Sequence, residues 1–236
     1  MTAMNDFVRS ESRSQNRADT HDAVSPDIWP GAFEHVLQTL TERVPMLERS
    51  QIDCILKLQP LSNATIRRTR HKLVQDGWLE RYSLLVSTFE EARAPMFNWK
   101  PHESCPDFER LRGTVRRQLS SQTTSMRQVY IASRFTANLY GADYQGAVLM
   151  QRCAEWSRWA QVYLRKVVQP GPADNSWEPD GLFEQTGSRD RSNISAARIS
   201  GPHSVTSIAL LTHCSVRQLH LLHQQCRQTS RSLELW

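Results

Sequence analysis

The stretch Leu61–Tyr82, LSNATIRRTRHKLVQDGWLERY, decides how the N-terminal half of the chain is read. Ser62 can cap a helix, Ile66, Leu73 and Val74 stand at i, i+7 and i+8 on one face, and Gly77 is a natural stop. Between Arg67 and Lys72, four of six positions are Arg or Lys, with His71 among them. No acidic residue occurs from Leu61 to Gln75, so ion pairs one turn apart on the same helix do not account for the cations.

Upstream, Phe33, Val36, Leu37 and Leu40 repeat at offsets of three and four after Pro30 and predict a first helix that fades at Val44-Pro45. Leu47 to Leu56 predicts a second, with Ile52, Ile55 and Leu56 as its apolar positions. Downstream, Tyr82–Thr88 and Pro95–Trp99 read as two strands of a hairpin joined by the polar segment Phe89–Ala94. Three short helices followed by a hairpin make a winged helix-turn-helix, in which the third helix lies in the major groove of DNA.

In that geometry Asn63, Thr65, Arg67 and Arg68 fall in the first turns, where side chains meet base edges. Arg forks suit guanine, Asn suits adenine, and Thr suits the thymine methyl. Arg70, His71 and Lys72 further along, and Arg81 at the start of the hairpin, suit phosphates. The alternative is an ordinary solvated helix face. Trp78 and Leu79, just past the helix end, are expected in the core under the sheet.

Beyond the hairpin, Pro106 and Asp107 open a helix with Phe108, Leu111, Val115 and Leu119 on one stripe, and QVYIAS at 128–133 is a buried strand. Residues 142–168 are helical by length and pattern, and 169–181 form a Pro- and Gly-rich loop. ISAARIS and VTSIALL then flank the turn GPHS, SVRQLHLLHQQC makes a helix, and LELW closes as a strand. The expected fold class is α+β. A tail at 1–29 and a winged-helix domain at 30–141 precede a small C-terminal α/β domain at 142–236 with a strand-strand-helix-strand core.

Composition agrees with a folded protein that tolerates a polyanion. Of 236 residues, 39% are hydrophobic and 22% charged, and the net charge is +5 with a pI of about 9.1. The five cysteines include no C-x-x-C pair, which fits a reducing compartment better than a disulfide framework. No apolar run serves as a signal-peptide core and none approaches the ~18 residues of a membrane span, so a cytoplasmic protein with no membrane partner is expected.

Four segments, DGWLERY, PMFNWKPHESCPDFERL, QVYIASRFTANLYGA and QLHLLHQQCRQTSRSLELW, resemble bacterial proteins of the replication-relaxation type over roughly residues 35–236. The resemblance implies a winged helix joined to a restriction-endonuclease-like domain, in the setting of a plasmid or other mobile element. Cleavage of phosphodiesters with a divalent metal needs carboxylates on adjacent strands and usually a nearby lysine. By the resemblance, Ser195 stands near where an acid would open the first strand and Ala209–Thr212 where a second is expected, and neither strand segment contains Asp, Glu or Lys. Asp180, Glu184, Asp190 and Glu234 are the substitutes on offer, without a supporting spacing.

Two further constellations have bland readings. His213, Cys214, His220, His223 and Cys226 form the densest metal-type cluster, yet steps of three on a helix rotate by about 60° and compete with the packing stripe of Val216, Leu219 and Leu222. Trp156 and Trp159, with Arg152, Arg158 and Arg165 nearby, are expected to fill a core rather than stack bases. No motif calls for a cofactor or a metal.

The expectation is therefore a binding protein rather than an enzyme. Double-stranded DNA is its partner, its C-terminal domain is open to a protein partner, and pairing into a homodimer is open as well. The alternatives are a divalent-metal nuclease and an interaction module whose basic helix meets an acidic protein.

Overall fold

A computed structural model describes residues 30–87, 94–120, 124–169, 176–179, 195–200, 205–210 and 215–236. The expected tail, most of the polar segment Phe89–Ala94, and Asp180, Glu184, Asp190, His213 and Cys214 lie outside those residues.

The protein is mixed α+β, with seven α-helices and two sheets among the described residues. Helix α1 (Pro30–Gln38) widens into a π turn at Thr39–Arg43 and buries Val36, Leu37 and Leu40, the residues its periodicity selects. Leu47–Glu48 is not the start of the second helix. It forms a two-residue strand, β1, and Glu48 becomes the cap of α2 (Arg49–Leu56) through a reciprocal bond with Gln51.

Helix α3 (Asn63–Gln75) starts where Ser62 accepts from the Thr65 amide at 3.1 Å, a cap that contributes about 1 kcal/mol. It stops at Gly77, whose φ of +77° only glycine adopts without strain. Leu79 is buried under the sheet, and half-buried Trp78 lies edge-on to Phe33 and Phe135 at ring distances of 5.3 and 5.4 Å.

The hairpin after α3 differs from the expected one. Strand β2 (Leu79–Ser87) pairs along nine positions with β4 (Thr124–Ala132), not with β3 (Phe97–Trp99). Adding β1 gives a three-stranded antiparallel sheet, β1-β4-β2, so the wing is built from strands far apart in sequence. Strand pairing is set by burial as well as proximity, and the Val129–Ala132 end of β4 offers a longer buried partner than three residues of β3 can.

Strand β3 and helix α4 (Phe108–Ser120) instead join the second sheet. Its order is β3-β8-β7-β6-β5, with β5 at Ser176–Pro179, β6 at Ser195–Ser200, β7 at Val205–Leu210 and β8 at Ser232–Leu235. Strands β6 and β7 form an antiparallel pair, α7 (Val216–Gln228) crosses over, and β8 returns parallel to β7, which is the strand-strand-helix-strand core expected from the sequence. Neither sheet is made from one continuous stretch of chain.

Helices α5 (Arg134–Leu139) and α6 (Leu149–Tyr163) complete the structure, the latter continuing as a π turn through Val168. Trp156 of α6 packs with Leu84, Val86, Val129 and Ile131 on the back of the first sheet. Trp159 packs against Trp177 of β5 at 4.8 Å, in a cluster that runs from Val36 through Leu73 to Ile208 and Trp236. Both tryptophans are core residues, each contributing about 1.5–3 kcal/mol of burial. Among the described residues no helix is long and apolar enough to cross a membrane.

Candidate nucleic-acid interface

The apolar stripe of α3 turns the rest of that helix outward. Ile66 and Leu73 are buried against α1 and α2, which leaves Asn63, Arg67, Arg68 and His71 exposed. A cleft of about 480 Å³ separates this face from the wing. Arg67, Arg68, Arg70, His71 and Val74 form its α3 wall, Arg81 of β2 with Gln128 and Tyr130 of β4 forms the other, and Arg49 from the start of α2 closes an end.

Arg49, Arg67, Arg68 and Arg81 form no ion pair with any described carboxylate. Several like charges facing one cleft repel each other and concentrate positive potential in it, and a polyanion relieves that repulsion. A second concavity, between α2 and the start of α3, brings Arg49, Lys57, Asn63 and Arg67 together around the Asp53–Arg70 ion pair. Cationic side chains therefore flank Arg67 on both sides.

The candidate residues separate into groups. Arg67, Arg68, Arg70, His71 and Arg81 border the cleft, and Asn63 stands on the opposite flank of Arg67. Thr65 is half-buried and its hydroxyl lies 2.9 Å from that of Ser62, so it belongs to the helix cap. Lys72 is half-buried and lines neither concavity.

Arg70 is only 7% exposed and is ion-paired with Asp53 of α2, which makes it a tie between the two helices. Its position four residues after Ile66 places it on the buried stripe, a phase that could have been counted in the sequence. Arg49 and Lys57 stand singly at the two ends of α2, so no local run of charge marks them and helix packing alone brings them to α3.

The other constellations resolve into packing. Leu219, Leu222, His223 and Cys226 of α7 are buried, and the His223 ring meets Trp99 edge-on at 4.4 Å while His220 stacks on Phe108 at 5.0 Å. His223 Nε2 has no hydrogen-bond partner among the described residues, and burial, with Arg227 and His220 nearby, pushes its pKa below the ordinary histidine value.

Glu234 of β8 is buried with both oxygens engaged, one by Lys166 Nζ at 2.7 Å and the other by Trp236 Nε1 at 3.0 Å. Among the described residues no three His, Cys, Asp or Glu side chains converge as metal ligands would.

Comparison with protein families, with curated proteins and with solved structures finds no match to this chain.

Proposed function

We propose that the protein binds double-stranded DNA, with α3 in the major groove and the wing beside it. Asn63, Arg67 and Arg68 meet base edges, and Arg49, Lys57, His71 and Arg81 take phosphates on either side. The observation that carries this reading is the cleft in which Arg49, Arg67, Arg68, His71 and Arg81 converge while four arginines lack a described acidic partner. A solvated helix face requires no such convergence from three separate elements.

The setting, regulation or replication of a plasmid or other mobile element, rests on the resemblance of the four segments to replication-relaxation proteins. Within that setting the second sheet serves as a surface for recruitment of a protein partner rather than as a nuclease. The engagement of Glu234 by Lys166 and Trp236 supports this, because a carboxylate already held by two donors is poorly placed to take a divalent cation.

The test is a fluorescence-anisotropy titration of labelled random-sequence duplex across salt concentrations, with the wild type and with Arg67→Ala/Arg68→Ala. Binding that weakens steeply with salt and is lost in a variant that remains folded supports the reading. Absence of binding by the wild type at low salt overturns it.

A further inference from the structure

The cleft-facing side of the wing continues beyond Arg81 and Tyr130. Side chains alternate across a strand, so Ser83 and Leu85 follow Arg81 on one face of β2 while Gln128 and Met126 continue that face on β4. The register sets them opposite one another as successive rungs: Arg81 with Tyr130, Ser83 with Gln128, Leu85 with Met126. The third rung is apolar, and its two side chains are 60% and 63% exposed, with only the polar pair Ser87 and Thr124 beyond it on that face.

Such exposure is not explained by weak packing of the hairpin. The alternate residues Leu84, Val86 and Val129 are buried in one cluster with Leu149 and Trp156 of α6. The apolar rung is thus presented on a hairpin with a solid back, in line with the cationic cleft.

We propose that Leu85 and Met126 form an apolar wedge that enters the minor groove adjoining the major groove occupied by α3, an inference that rests on the DNA-binding reading above. Leu85 lies four residues beyond Arg81, about 13 Å along the strand. Neighbouring groove centres lie about 17 Å apart, half of a ~34 Å turn, so with Arg81 on the intervening phosphate ridge the apolar rung reaches past it.

Leucine and methionine suit this place because minor-groove proteins insert such side chains at base steps, unstacking them and bending the duplex. Gln128, exposed on the rung before, can donate to the acceptors that A·T pairs present in that groove. The favoured target therefore contains a flexible pyrimidine-purine step beside the site read by α3. A second copy of the chain fits less well: two side chains fall far short of the ~1,200 Å² of a specific protein interface. Arg81 would also bring like charges together.

The experiment uses the full chain and duplexes of about 30 bp carrying a fluorescence donor and acceptor at their ends. Wild type is expected to bind with a steep salt slope, to raise energy transfer by bending the duplex, and to be displaced by netropsin, a small minor-groove ligand. Leu85→Ser/Met126→Ser is expected to keep the melting temperature and salt slope, to bind about tenfold more weakly, and to leave the duplex straight.

A variant that binds and bends DNA like the wild type overturns the wedge while leaving the DNA-binding reading intact. A wild type without salt-dependent binding removes both. If light scattering shows a dimer that the double substitution dissolves, the rung joins two copies and the wedge is likewise overturned.

Discussion

Arg70 of α3 and Asp53 of α2 form an ion pair beneath the exposed row of Arg67, Arg68 and His71. The pair fixes the angle at which α3 presents that row, so two neighbouring arginines on one helix have different tasks. Arg70→Ala leaves a carboxylate without its partner and is expected to cost about 2 kcal/mol of stability. Arg67→Ala/Arg68→Ala is expected to stay within about 0.5 kcal/mol of wild type while losing duplex affinity. Urea unfolding of the variants checks this, and equal stability losses would refute the division of labour.

Arg49 offers a sharper test of the interface, because it lies outside the helix that carries the other cations of the α3 wall. If it neutralises one phosphate, Arg49→Ala lowers the slope of log affinity against log salt by about 0.9 without altering the melting temperature. Anisotropy titrations at several salt concentrations measure that slope. An unchanged slope places Arg49 off the DNA.

His223 sets a pH dependence of stability. Its folded pKa lies below the ordinary value of about 6.5, so the unfolded chain takes up the proton more readily. Stability from this group is full above pH ~6.5 and falls as pH drops toward the folded value. His223→Phe keeps an aromatic ring against Trp99 and Phe108 but removes the orphaned Nε2. Melting temperatures from pH 8 to pH 5 should fall less for this variant, and parallel curves would exclude the role.

Glu234 is expected to behave as a structural anchor. Glu234→Ala strands Lys166 and the Trp236 indole N–H and costs about 2–3 kcal/mol, whereas Glu234→Gln retains an acceptor and costs roughly half as much. Chemical denaturation distinguishes them. Equal losses would mean that the charge, not the hydrogen bond to Trp236, is what β8 requires.

What could be read from the sequence was local. Ser62, the Ile66–Leu73 spacing and Gly77 mark the limits of α3 within one short window, and the succession β6, β7, α7, β8 follows from turn and period alone. The wing could not be read in this way. Phe97–Trp99 is the nearest strand after β2, but its partner Leu233–Leu235 stands at the other end of the chain, and no local pattern announces that pairing. For the candidate cleft, charge alone singles out α3 but is blind to phase, and Arg70, on the stripe of Ile66, is buried in an ion pair with Asp53. Arg49 and Lys57 needed the packing of α2 on α3 to come into view.

The pairing of Phe97 with Leu235 also governs the order in which the protein can be completed. At ~5–20 residues per second, β3 leaves the ribosome roughly 7–30 s before β8 is synthesised. During that interval β2 and β4 can close into the wing, while β3 and α4, looped out between them, have no sheet to join. Trp236 belongs to the same hydrophobic cluster as Val36, so the core around α1 waits for a residue that follows β8. Such high contact order predicts slow maturation, with the β2–β4 sheet formed before the body behind it.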